Sequence, residues 1–307
     1  MDGHGLVTGI LKNAVERVVI RKYRDRTNYW GRYRNLFSGL MIARGFASNG
    51  AKVYITGRHL EVLQQAARQN FEGLGEIYPI RMDVTLKEDI LSVVDNIKKT
   101  DGKLDILVNN AAIDGPKLRS SFTDEAKPKT QSFAEYGREL FDVQSFEDWG
   151  TVAQVNVAAY FFVTMAFLEL LVASTKGKED STATVINVTS GGGTYKLSLG
   201  YFAYACLKAA ATHLTMQIAT DFSLKQIPVR VNAIAPGIFP SRLTTSSQEE
   251  LEEYTKTPMS YLSPIPRRRP GREHEMVALA VYLASDASGY THGQEIFIDG
   301  GLLGVNP

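Results

Sequence analysis

An α/β fold, built as a doubly wound parallel sheet between two layers of helices, follows from two features of this 307-residue chain. From Gly39 onward, short β-branched runs alternate with segments of helical length, which is the pattern of successive βα units. Several of those runs stop abruptly in small or polar residues, as at Asn109-Asn110-Ala111-Ala112, at Ser190-Gly191-Gly192-Gly193 and at Pro236-Gly237. Open α/β sheets place their ligand sites beyond the carboxyl ends of the strands.

In order, residues 39–49 predict a helix closed by Gly50, and residues 51–56 a strand. Gly57 and Arg58 follow that strand directly. In dinucleotide folds an acidic residue near this point grips the ribose hydroxyls, whereas an arginine accommodates a ribose phosphate. Arg58 is read either in that role or as a surface residue beside a turn glycine. Residues 59–71 predict a helix, 77–82 a strand ending at Asp83-Val84, 87–99 an amphipathic helix and 104–108 a buried strand. From about 113 to 147 the pattern lapses into a polar stretch too long for an ordinary connection, read as a surface insertion with a short helix at 133–140. A long apolar helix over 149–173 carries Asn156.

Residues 185–188 are a β-branched interior strand, followed by the glycine-rich turn and a helix over 201–224. Residues 229–235 form another strand. The proline-rich stretch of about 238–272 is either a substrate lid or an irregular surface loop. A helix at 273–284 and a strand at 295–298 close the chain before Asp299-Gly300-Gly301.

Tyr204 and Lys208 are four apart in a segment of helix formers, so both emerge on one helical face. A phenol with a pKa of about 10 is a poor acid at neutral pH, and a neighbouring ammonium lowers it. Ser190 is then placed to hydrogen-bond the oxygen that receives the proton. Tyr-x-x-x-Lys also arises by chance, with the ring packed and the lysine solvated. It is the surrounding motifs that favour the chemical reading.

With 44% hydrophobic residues the chain can bury a large core, and its formal charge of +1 gives no support to nucleic-acid binding. Arg267-Arg268-Arg269, between prolines, reads as a solvated or ion-paired loop. The single cysteine, Cys206, allows no internal disulfide and fits a reducing compartment, and its position suggests packing. The apolar run 157–173 is slightly short for a membrane span and reads as a buried helix. No signal peptide is evident, which makes the expected location cytoplasmic. Five scattered histidines have no metal-ligand spacing, so no metal is expected.

These motifs, over residues 39–301, resemble the classical short-chain dehydrogenase/reductase family, with its Rossmann-like sheet. Asn109-Asn110-Ala111-Ala112 resembles the family's Asn-Asn-Ala-Gly motif, Ala112 replacing the glycine. The resemblance implies a catalytic set of Asn156, Ser190, Tyr204 and Lys208. Tyr204 is then the proton donor, Ser190 orients the carbonyl, Lys208 also holds the nicotinamide ribose, and Asn156 anchors a relay water. It implies a cofactor site of Gly39, Arg58, Asp83, Val84, Asn110, Ala111, Ala112, Tyr204, Lys208, Pro236, Gly237 and Ser241. Residues 234–244 are similar to the rhamnolipid-type 3-oxoacyl-carrier reductase branch. The implied activity is NADP(H)-dependent interconversion of a ketone, in one version of the 3-oxoacyl type, and a secondary alcohol, with NADP favoured over NAD. Partners are a small-molecule carbonyl or alcohol and other copies of the chain, as a homodimer or homotetramer, with no nucleic acid and no membrane.

One family feature is missing: the first strand and the Thr-Gly-x-x-x-Gly-x-Gly loop whose backbone donors cradle pyrophosphate. This sets residues 1–38 apart from a single Rossmann-type domain at 39–307. Begun one nucleotide later, the codons permitted for residues 24–35 include those for V-I-A-L-I-T-G-G-G-T-G-I, which is the missing strand and loop. Residues 1–38 are therefore read as a frame or splice artefact. As written, the chain has an alternative reading as a catalytically impaired binding or regulatory protein on the same scaffold.

Overall fold

The computed structural model describes residues 17–21, 38–68, 73–116, 132–177, 181–240, 248–257 and 262–306. A seven-stranded sheet forms the middle layer: β1 (Arg17–Arg21), β2 (Lys52–Gly57), β3 (Glu76–Arg81), β4 (Ile106–Asn109), β5 (Ala183–Val188), β6 (Val229–Pro236) and β7 (Glu295–Ile298). Its order is β3-β2-β1-β4-β5-β6-β7, and every neighbouring pair is parallel. The order reverses between β1 and β4, and that switch point opens the crevice where such sheets take ligands.

Successive strand residues face opposite sides, and both sides are covered, so the strands are apolar almost throughout. On one side Val53, Ile55, Ile106, Val108, Ile186 and Val188 pack against α1 (Ser38–Ser48), α2 (Leu60–Ala67) and α9 (Glu273–Ala284). On the other, Tyr54, Leu107 and Val185 meet α3 (Lys87–Thr100), α6 (Ala159–Thr175) and α7 (Phe202–Leu224). The apolar α6 buries Val163, Phe167, Leu170 and Leu171 against the sheet. A longer helix, residues 146–175, has the length and composition of a membrane span, yet here it is a sheet cover, as expected. It comprises α5 (Phe146–Ala153), a π turn (Gln154–Ala158) and α6.

The central strand is the main departure from the sequence-based expectation. No strand is expected ahead of Gly39, yet Arg17–Arg21 fills the slot between β2 and β4, with Val18 in register with Val53 and Ile106. Its apolar core is only Val18-Val19-Ile20 between two arginines, and no glycine loop follows to mark it. The sheet thus reaches into the segment set apart as 1–38. The codon reading of residues 24–35 lies outside the described residues.

The insertion contains α4 (Phe133–Val143), begun by a capping box: Ser132 Oγ accepts from Glu135 N (3.2 Å) and Glu135 Oε2 accepts from Ser132 N (2.8 Å). Residues 117–131 of the insertion lie outside the described residues. In the 238–272 stretch a further helix, α8 (Gln248–Lys256), was not expected; it is held by buried Leu251 and Thr255. A last short helix, α10 (Leu302–Val305), follows β7.

Candidate active site

The site begins where β5 ends. Ser190 caps a single 3₁₀ turn, Gly191–Gly193, and its Oγ accepts a hydrogen bond from Gly192 N at 3.1 Å. That turn lies directly on α7. A Cβ at Gly193 would fall 2.7 Å from Ala209 N and 2.9 Å from the Lys208 carbonyl carbon, so only glycine permits the approach. The glycines thereby bring Ser190 to the helix face that carries Tyr204 and Lys208. Ser190 and Tyr204 are hydrogen-bonded to each other.

Lys208 is fully enclosed, contrary to a solvated lysine. Its Nζ donates to Val188 O at 2.8 Å and to Tyr160 Oη at 3.2 Å, and lies 5.8 Å from the centre of the Tyr204 ring. Tyr160 Oη donates to the same Val188 carbonyl at 2.8 Å. Burial disfavours the ammonium and brings the Lys208 pKa down to about 7, with Glu295 opposing the shift. Glu295 itself accepts hydrogen bonds from Thr189 and Thr212, each at 2.6 Å, which ties β7 to the end of β5 and to α7.

The expected lowering of the Tyr204 pKa by Lys208 is not what this arrangement gives. Burial raises the phenol's pKa, the hydrogen bond with Ser190 pulls it down, and Asp114 and Tyr201 raise it further. A half-buried phenol loses more from leaving water than it gains from an ammonium already engaged elsewhere. Cys206, expected to pack, is instead exposed between them.

Asn156 lies buried in the π turn. Its Oδ1 accepts from Ile113 N and its Nδ2 donates to Ile113 O, both at 2.9 Å. The amide thus holds both backbone groups of the residue just after Asn109-Asn110-Ala111-Ala112. Its side chain is therefore a clamp on that loop. Below this clamp runs a buried network that the sequence reading missed. Asn109 Nδ2 donates to Thr164 Oγ1 (3.1 Å) and Asn187 Oδ1 (2.9 Å), and Asn187 Nδ2 to Thr215 Oγ1 (2.9 Å). Asn109 and Asn187 are register partners on β4 and β5. An asparagine inside each of two apolar strands was the available signal.

The fold implies a dinucleotide along the carboxyl edge of the sheet. At one end, Asp83 and Val84 follow β3, Val84 half-packed against the core. Burial opposes ionisation of Asp83, but the Thr85 N–H (3.0 Å) and hydroxyl (2.8 Å), then Arg58 and Arg81, hold its carboxyl below the usual range. Arg58 and Asp83 thus share one corner beyond β2 and β3. At the other end, Pro236 closes β6 and Gly237 N donates to Ile298 O at 3.0 Å. A Gly237 Cβ would fall 2.7 Å from both Cα and Cβ of Asp299, so only glycine lets the end of β6 pack this closely on the residue that follows β7. Between the two ends, Ala111 and Ala112 are buried and Asn110 leads into them. These residues fit a dinucleotide at both its ends. Of the phosphate loop only Gly39, buried in α1, is described, and Ser241 lies outside the described residues.

A doubly wound sheet with a serine, a tyrosine and a lysine gathered at the carboxyl end of its middle strands defines a nucleotide-linked oxidoreductase class. The comparisons carry this further. Residues 39–303 match the family model described as enoyl-(acyl carrier protein) reductase. A short-chain dehydrogenase/reductase of Byssochlamys spectabilis, VdtF, is 35% identical over 289 residues, covering 88% of this chain and 90% of the relative. The rhamnolipids biosynthesis 3-oxoacyl-[acyl-carrier-protein] reductase of Pseudomonas aeruginosa is 30% identical over 264 residues, covering 86% and 91%. Among solved structures, the Pseudomonas aeruginosa RhlG/NADP active-site complex superposes with a TM-score of 0.72 at 26% identity, covering 96% of this chain and 98% of that one. The chain belongs to the short-chain dehydrogenase/reductase family of enzymes.

Proposed function

We propose that the protein interconverts a ketone and a secondary alcohol with NADP(H), with Tyr204 exchanging the proton. The observation that supports this best is the convergence of Ser190, Tyr204 and Lys208 at one end of β5. The nicotinamide cofactor supplies or accepts the hydride. In the reducing direction the Tyr204 hydroxyl, kept protonated by its raised pKa, gives its proton to the carbonyl oxygen. Ser190 Oγ donates a hydrogen bond to that same oxygen. Lys208, fixed by Val188 O and Tyr160 Oη beside the Tyr204 ring, stabilises the phenolate that is left. Asn156 keeps the loop after β4 in place through Ile113. Gly39, Asp83, Val84, Asn110, Ala111, Ala112, Pro236 and Gly237 line the path of the dinucleotide, and Ser241 is assigned to it by its place in the family motif.

NADP(H) is preferred over NAD(H) in this reading, since Gly57 and Arg58 stand where an acid would select NAD. The RhlG complex holds NADP, in keeping with it. The test follows NADPH and NADH oxidation with a panel of small ketones, for the parent chain and for Arg58→Glu. The expected result is faster turnover with NADPH by the parent and a reversed preference in the variant. Equal use of both by the parent would overturn the cofactor assignment, and no turnover of any ketone would overturn the activity.

A second reading, a binding or regulatory protein with weak cofactor affinity, is favoured by one observation: the family match begins only at residue 39. The protein is further taken to be cytoplasmic and to act as a homodimer or homotetramer. Exposed Phe161 and Phe162 on α6 and Phe202 and Met216 on α7 support the assembly, as apolar surface on two neighbouring helices.

A further inference from the structure

Resting on the carbonyl chemistry just proposed, we propose that Tyr195 determines specificity by donating a hydrogen bond to a second, uncharged oxygen of the substrate, close to the reacting carbonyl. Its hydroxyl is shut off from solvent and has no hydrogen-bond partner among the described residues. Leaving a buried polar group unpaired costs roughly 1–3 kcal/mol, and proteins seldom do so without a use for it. The position is equally specific. A Cβ at Gly191 would fall 2.8 Å from Tyr195 Oη and 3.6 Å from Pro236 O. The orphan hydroxyl therefore lies beside the residue that follows Ser190 and near the end of β6, on the border of the reacting centre.

Charge narrows the class of acceptor. Asp299, whose carboxylate accepts from Gly301 N (2.9 Å) and Leu303 N (2.7 Å), acts on Tyr195, and Asp114 acts on Tyr201 and Tyr204. With the Asp299 carboxylate on the Tyr195 side, a neutral acceptor such as an ester, a lactone or another ketone suits the hydroxyl better than a free acid. Burial, then Asp299, hold the Tyr195 phenol far above its ordinary pKa, so it stays a hydrogen-bond donor across the physiological range.

Ligand-observed NMR on the full chain, with NADP⁺ present and absent, tests this with two neutral probes of similar size, ethyl acetoacetate and 2-octanone, and with the acetoacetate anion. The parent is expected to favour the keto ester over both, and Tyr195→Phe to lose about tenfold of its preference over 2-octanone, the effect of one hydrogen bond. The variant removes only an unpaired hydroxyl, so its melting temperature without ligand should be no lower than the parent's. An unchanged preference in Tyr195→Phe, a parent without preference, or a variant that loses NADP⁺ affinity while keeping the preference would each overturn the assignment. Turnover of the ketones by the parent is scored separately and bears on the activity alone.

Discussion

Tyr204 and Lys208 carry the chemistry through opposite responses to burial. The phenol is pushed toward its neutral form and the ammonium toward its neutral form, so the pair enters the reaction as a proton donor beside an amine that titrates near pH 7. Tyr204→Phe should lower kcat by about 10²–10⁴-fold, the usual worth of a general acid, while circular dichroism and melting temperature stay close to the parent's. A rate within a few-fold of the parent would remove Tyr204 from the mechanism. Lys208 also makes stability pH-dependent. Its folded pKa of about 7 lies below the ordinary 10.5, so between these values the unfolded chain holds a proton that the folded chain lacks. Stability from this group is therefore full above the upper value and is lost as pH falls toward 7. Urea unfolding at about pH 7 and about pH 9.5 should show a gain in the parent that Lys208→Met does not share.

At the scale of elements, a turn with no side chains lets β5 deliver Ser190 to α7. Gly193→Ala sets a Cβ against Lys208 and Ala209 backbone, which cannot yield as a flexible side chain would. Overpacking of this kind costs about 1–3 kcal/mol, and the strain falls on the Ser190–Tyr204 contact. The variant is expected to lose kcat out of proportion to its modest drop in melting temperature; unimpaired kcat would show that the turn can shift freely. Much of this was legible in sequence, because Ser190, Tyr204 and Lys208 stand at strand-end and helix spacings that are local. The Asn109–Asn187 pairing and the Asn156 clamp on Ile113 were not, since each joins residues distant in the chain through sheet register or helix packing. The sign of the Tyr204 shift was also missed, because desolvation depends on the enclosing fold and not on the four-residue spacing.

For the whole molecule, the decisive question is which segment supplies the central strand and the phosphate cradle. Arg17–Arg21 takes the central slot between β2 and β4, but the sequence that follows it has no glycine loop before Gly39. Residues 24–35, decoded one nucleotide later, would supply both a strand and the loop, leading straight toward Gly39-Leu40-Met41 in the written frame. The expectation is that the spliced transcript encodes V-I-A-L-I-T-G-G-G-T-G-I and that residues 1–38 as written are an artefact. Codon degeneracy admits several residues at each shifted position, yet twelve in this order are a demanding coincidence. If the chain is made as written, losing two backbone hydrogen bonds to charged phosphate, at roughly 1.5–3 kcal/mol each, should weaken NADPH binding about 10²–10⁴-fold relative to the restored chain. Transcript sequencing across this region, paired with NADPH titration of both chains by quenching of Trp149 fluorescence, decides it. A transcript that encodes residues 24–35 as written, with tight NADPH binding by that chain, would show that a different cradle serves the cofactor.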